Sequence, residues 1–265
     1  MTSLDFHDGR SMPQLGMGTW RIPDPHAAAV VRKGFDLGYR LVDTAAIYHN
    51  ERGVGEGCKG EDVFVTTKLW NDDQGDPEAA LDASLALLGR EEVDLYLMHW
   101  PAPAQDRYVE AWKGMIALRD AGKARSIGVS NFLPEHLDRI IAETGVTPVL
   151  NQIELHPRWQ QRESRDYHDA NGIVTQSWSP IGQGKGLLDD ERVQSIAAKH
   201  ARSAAQVVIA WHLAKGFSVI TKASTPEHLS DNFAAQDLTL DDDDVARIDA
   251  MDSPDGRLGP DPRSM

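Results

Sequence analysis

The feature that most constrains this chain is a recurrence. Short apolar, β-branched runs appear eight times: 16–20 (GMGTW), 40–45 (RLVDTA), 62–70 (DVFVTTKLW), 94–100 (DLYLMHW), 126–131 (SIGVSN), 148–155 (PVLNQIEL), 173–179 (IVTQSWS) and 218–223 (SVITKA). Most are continuously apolar, not alternating, as parallel strands covered on both faces require. Amphipathic stretches separate them, among them 76–89, 134–144 and 203–216, with proline in first turns and Gly89 and Gly216 past the ends. Eight strand–helix units predict an α/β chain folded as a (β/α)8 TIM barrel, with an extra helix near 189–200 before the eighth strand. No linker-like shift in composition interrupts 1–265, so one domain is expected. Residues 4–15, with Asp8-Gly9 at the turn, predict a β-hairpin that caps the barrel floor. Residues 253–265 predict an irregular tail near the mouth.

Charge and composition narrow the function. The net charge of −14 repels phosphate backbones, so nucleic acid is an unsuited partner. No apolar run is long enough for a membrane span, and the first ten residues lack the order of a secretion signal. The single cysteine, Cys58, excludes an intrachain disulfide framework and favours a reducing, cytoplasmic setting. The acidic run 241–244 reads as the start of a helix continued by Val245, Ile248 and Met251, in preference to a metal site.

In barrels of this kind the strand C-termini and the loops after them carry function. Asp43 ends the second predicted strand, Tyr48 follows in its loop, Lys68 ends the third and His99 the fourth. Three neighbouring strands thus bring an acid, a phenol, an ammonium and an imidazole to one rim. A nearby cation lowers the pKa of a phenol, so Lys68, held by Asp43, is expected to make Tyr48 a usable general acid. His99 is expected to donate to a carbonyl oxygen beside it. Singly, each has a structural alternative: Asp43–Lys68 a buried ion pair, Tyr48 a packing residue, His99 a core histidine. Jointly they favour catalysis.

These residues carry a resemblance. Stretches 16–20, 43–51 (DTAAIYHNE), 65–70, 94–101, 126–132, 151–157 (NQIELHP) and 177–184 (SWSPIGQG) resemble the aldo-keto reductase superfamily over nearly the whole chain. Stretches 67–72, 179–186 and 211–217 are similar in particular to bacterial 2,5-diketo-D-gluconate reductases. The resemblance implies a monomeric barrel that binds NADPH in extended form. No GxGxxG motif follows a strand, in keeping with a cofactor site of another kind. It also implies hydride transfer from nicotinamide C4 to an aldehyde, ketone or dicarbonyl carbon, with Tyr48 giving the proton and Asp43, Lys68 and His99 completing the active site.

Cofactor contacts implied in the same way fall along the rim. Ser130, Asn131 and Gln152 match the groups that hold the carboxamide, although Ser130-Asn131 could instead cap the next helix. Trp178 matches the aromatic beneath the nicotinamide, and Ser179, Ile181, Gly182 and Gln183 the loop over the pyrophosphate. Thr19, Ile220, Lys222, Ala223, Ser224, Thr225, His228, Asp231 and Asn232 complete the set. Where the family often has an arginine for the 2′-phosphate, this chain has His228, so NADH should be better tolerated than in relatives with the arginine. Trp20, Ile47, His49, Trp70 and Trp100 are expected around the substrate, whereas Trp112 reads as core. Short loops at 51–62 and 101–106 predict an open site of broad acceptance. Two alternatives remain: a nucleotide-binding barrel with little turnover, or a metal-dependent hydrolase, against which the absence of HxH and HExxH spacing speaks.

Overall fold

The computed structural model describes residues 2–265. Strands β1 (Ser3–Asp5) and β2 (Ser11–Pro13) form the antiparallel hairpin. The barrel follows with β3 (Leu15–Gly18), β4 (Leu41–Asp43), β5 (Phe64–Leu69), β6 (Val93–Met98), β7 (Ala124–Ser130), β8 (Leu150–Glu154), β9 (Val174–Trp178) and β10 (Ser218–Lys222). All barrel pairings are parallel, and β10 closes on β3.

The helices are α1 (Asp24–Leu37), α2 (Glu51–Cys58), α3 (Pro77–Leu88), α4 (Tyr108–Asp120), α5 (Pro134–Thr144), α6 (Arg162–Asn171), α7 (Glu191–His200), α8 (Ala204–Ala214), α9 (Pro226–Phe233) and α10 (Asp242–Asp249). Helix α7 is the extra one expected between the seventh and eighth barrel strands. Local chemistry accounts for the boundaries. Asp76 caps α3 by accepting from the Ala79 amide, and Ser203 and Gln206 form a reciprocal capping box at α8. The acidic run behaves as its spacing suggests: Asp241 caps α10, and Lys199 and His200 meet Asp244.

The inside of the barrel is layered. Leu41, Leu95, Leu97, Leu150 and Ile220 come from alternate strands β4, β6, β8 and β10, and Phe6 and Met12 of the hairpin pack against them. Ser126 of β7 donates to Asp8 of the hairpin turn over 2.7 Å, which pins this plug to the floor. Strand β3 needs glycine at its upper end, since a Cβ on Gly18 would lie 2.8 Å from Ile220. Trp112 is fully buried in the outer cluster between strands and helices. No helix among the described residues is long and apolar enough to cross a membrane.

Candidate active site

The closed barrel places four polar groups at its upper rim. Asp43 ends β4, Lys68 lies one residue from the end of β5, and His99 follows β6. Tyr48 ends a single 3-10 turn, Ala46–Tyr48, in the loop after β4. The ammonium of Lys68 donates to Asp43 Oδ1 over 2.6 Å and to the Thr44 carbonyl over 2.9 Å. It stands 5.2 Å from the centre of the Tyr48 ring. His99 packs edge-on against Tyr48 at 5.8 Å between ring centres and against Trp70 at 5.2 Å. The four residues expected to act together therefore meet.

Electrostatics at the rim correct one expectation. The Tyr48 pKa is not lowered on balance: burial first, then the Asp43 carboxylate, pushes it well above the ordinary value. Burial also pulls the Lys68 ammonium down, against the opposing pull of Asp43 and Glu51. His99 is held neutral, well below the usual histidine range, by burial and then by Lys68. Its Nδ1 is buried without a partner. The rim thus holds a firmly protonated phenol beside a neutral imidazole, above a buried ion pair. Such a set can donate a proton and then stabilise the anion left behind.

Side-chain amides continue the rim. Gln152 donates to Asp43 Oδ2 over 2.7 Å and to Gln176 Oε1 over 2.6 Å. Ser130 donates to the Gln152 carbonyl over 2.7 Å. Asn131 donates to the His99 carbonyl and to Ser130, and accepts from the Trp178 indole over 2.8 Å. Ser130 and Asn131 do not cap α5, whose N-cap is Leu133. Asn131 takes φ 62° instead, which turns its side chain across the strand ends.

Other expected positions divide into two groups. Ser179 at φ 52°, Ile181, Gly182 and Gln183 form a tight loop after β9, closed by Gln183 donating to Ser179. Lys222, Ser224, Thr225 and His228 are exposed together around the start of α9, where Thr225 caps the helix at the His228 amide. Asp231 accepts from Ser203 over 2.6 Å, and Asn232 is buried. Thr19, Ile220 and Ala223 have buried side chains: Thr19 donates its hydroxyl to the Asp43 carbonyl, Ile220 sits in the inner layer and Ala223 in the outer core. Around the candidate substrate side, Trp20 is 41 % exposed and covered by the Arg21 guanidinium at 4.2 Å. Ile47 and Trp70 are half-buried, His49 is exposed at φ 55°, and Trp100 is buried with its carbonyl accepting from Gln74.

Three contributors escaped the sequence reading. Asn50 ties the loop after β3 to the loop after β4, accepting from Thr44 and donating to the Thr19 and Ile22 carbonyls. Gln176 holds the second hydrogen of the Gln152 amide. Glu154, buried at the end of β8, accepts from the Leu258 amide over 2.6 Å and the Gly259 amide over 2.8 Å, and so latches the tail at the mouth. Gly259 lies so close to Trp178 that a Cβ there would fall 2.5 Å from the ring. Only the position of Glu154, at a strand end between Gln152 and His156, could have drawn attention to it.

The family model for the aldo/keto reductase family matches residues 13–253. The chain belongs to the aldo/keto reductase family. It is 49 % identical over 267 residues to methylglyoxal reductase DkgA of Salmonella typhimurium, covering 98 % of this chain and 97 % of that one. An aldo-keto reductase of Mycolicibacterium smegmatis is 46 % identical, with 98 % and 97 % covered. A crystal structure of a Gox0644 mutant in complex with NADPH superposes with a TM-score of 0.97 at 50 % identity, covering 100 % of this chain and 98 % of that one. Membership makes the chain an oxidoreductase that acts on carbonyl groups. No group of three His, Cys, Asp or Glu side chains able to hold a metal ion comes together among the described residues.

Proposed function

We propose that this chain reduces small aldehydes, ketones and dicarbonyls to alcohols with NADPH, Tyr48 acting as proton donor. The observation that carries this reading is the buried Lys68–Asp43 pair, 2.6 Å apart, directly beneath Tyr48 and beside a neutral His99. The residues of the rim fit the nucleotide. Gln152 and Asn131 offer amide groups at strand ends, Trp178 offers a half-buried ring, and Lys222, Ser224 and Thr225 offer a cation and hydroxyls at the start of α9. A neighbour 50 % identical to this chain was solved in complex with NADPH, which supports the choice of cofactor. Bound NADPH supplies the hydride.

The chain's own residues supply the rest. His99, neutral, donates to the substrate oxygen and orients it. Tyr48 enters the reaction protonated, because its pKa lies above the ordinary range. As negative charge builds on the oxygen, Tyr48 releases its proton to it. Lys68 then faces a phenolate in place of a phenol, and the attraction between the two charges favours the transfer. Asp43 holds the ammonium in place throughout. Half-buried Trp70 and Ile47 and exposed Trp20 leave the mouth open to small substrates. Methylglyoxal, the substrate in the relatives' names, belongs to the accepted class, and a diketogluconate-like sugar acid is a second candidate. We expect the chain to act as a monomer.

The test is steady-state turnover of purified protein with methylglyoxal and NADPH, followed at the nicotinamide absorbance. Reduction in wild type that collapses in Tyr48→Phe supports the reading. Tight NADPH binding with no turnover across a panel of aldehydes and dicarbonyls would favour a binding role instead.

A further inference from the structure

The interior of the barrel carries a chain of side-chain hydrogen bonds whose far end, Gln176 and Ser218, the reaction as described does not use. It begins at Lys68, passes through Asp43 to Gln152, and continues to Gln176 and Ser218. The register explains how it forms: Gln152 of β8 pairs with Gln176 of β9, and Gln176 with Ser218 of β10, so the three lie at one level of the barrel. Gln176 and Ser218 are fully buried, and Gln152 is 3 % exposed.

The polarity of this chain is dictated from one end. A carboxylate bonded to an ammonium only accepts, so the group that Gln152 turns toward Asp43 must be its NH2. The same nitrogen donates its second hydrogen to Gln176 Oε1. That leaves the NH2 of Gln176 to donate to Ser218 Oγ over 2.9 Å. One hydrogen bond would leave the Gln152 amide free to swing about its contact with Asp43. Two bonds from the same nitrogen fix the amide plane, and with it the direction of the remaining oxygen.

We propose that Gln176 is a positioning residue: through Gln152 it aims the Gln152 Oε1 at the carboxamide of the nicotinamide. The inference rests on the nucleotide reading above, in which Gln152 meets the carboxamide. In this arrangement Oε1 accepts from the carboxamide NH2, and the amide hydrogens bound to Asp43 and Gln176 keep it from turning away. Gln176 touches neither nucleotide nor substrate.

The probe is an analogue without the donor. Wild type should bind NADP⁺ roughly tenfold more tightly than its acetylpyridine analogue, which has a methyl ketone in place of the amide. Gln176→Met removes the acceptor at similar volume. It should cut that preference to about twofold while leaving the affinity for adenosine 2′,5′-bisphosphate, which lacks the nicotinamide, unchanged. Gln176→Glu keeps an acceptor for Gln152 and should restore most of the preference. A wild type that does not distinguish the two nucleotides would show that the carboxamide is not held by Gln152, and both readings would fall. A wild type that discriminates, with Gln176→Met discriminating equally, would overturn the role of Gln176 alone. If Gln176→Met does not yield folded protein, Ser218→Ala, which frees the far end of Gln176, takes its place: a reduced preference supports the proposal and an undiminished one overturns it.

Discussion

Replacing Glu154 by glutamine should loosen the tail without unfolding the barrel. The carboxylate is 4 % exposed and gives one oxygen to each tail amide, Oε1 to Leu258 and Oε2 to Gly259. His156 also reaches Oε1, at 3.1 Å. A glutamine has one oxygen and turns an NH2 toward a backbone N–H, so at least one tail amide loses its acceptor. A hydrogen bond to a charged acceptor is worth about 1.5–3 kcal/mol, and an orphaned buried donor costs about 1–3 kcal/mol. Local opening of residues 257–262 should therefore become easier by about 2–3 kcal/mol, equivalent to roughly 30- to 150-fold faster amide exchange. Hydrogen–deuterium exchange read by mass spectrometry measures this directly, with peptides from buried α8 as the internal reference. The tail also walls Trp178 through Gly259, so KM for carbonyl substrates should rise more than kcat falls. Tail amides that exchange at the wild-type rate in Glu154→Gln would show that the tail is held by other contacts, such as Ser253 to the Arg158 carbonyl, and would refute the reasoning.

Tyr48→Phe should keep nucleotide affinity within about twofold and lose roughly 10²–10⁴ in kcat, the range for a general acid; stopped-flow reduction and fluorescence titration separate the two. His228→Arg should tighten NADPH by about tenfold with little change for NADH, because arginine offers a planar, permanently charged fork to a phosphate; equal tightening of both nucleotides would place the 2′-phosphate elsewhere. Acid should destabilise the fold through its buried histidines, among them His168 and His212. Burial lowers His168 to about 4 and His212 to about 3, so both stay neutral when folded but take up protons once unfolded. Their contribution is complete above about pH 6.5 and is lost as pH falls through that value toward the folded pKa values, at up to about 2.7 kcal/mol per pH unit for the pair. Glu51 and Asp94, whose carboxyls burial raises, oppose part of this loss. Urea unfolding midpoints that do not fall between about pH 7 and about pH 5 would contradict the assignment.

Much of the barrel was legible because most strands announce themselves in a continuous apolar run and many helices in a cap or a terminal glycine. Asp43, Tyr48, Lys68 and His99 were legible because they sit at strand ends or in the loops that follow, where topology decides what can meet. The direction of the Tyr48 pKa was not. It depends on how dry the phenol is and on the Asp43 carboxylate near it, neither of which spacing reveals. Gln176 was equally silent: a glutamine within a strand reads as an interruption until the register sets it beside Gln152. Glu154 is bound to residues more than one hundred positions away, a separation at which no local pattern carries information. Ile220 shows the opposite limit, since its place in the chain suggested the rim while its side chain packs in the inner layer of the barrel.

The hairpin and the tail occupy opposite ends of the cylinder. Phe6 and Met12 stopper the floor, whereas Leu258 and Gly259 edge the mouth. A tether for surface immobilisation, or a fused reporter, is therefore best joined ahead of Thr2, where it hangs beneath the vessel and leaves the entrance clear. The same cargo joined after Met265 would crowd the doorway through which substrate arrives.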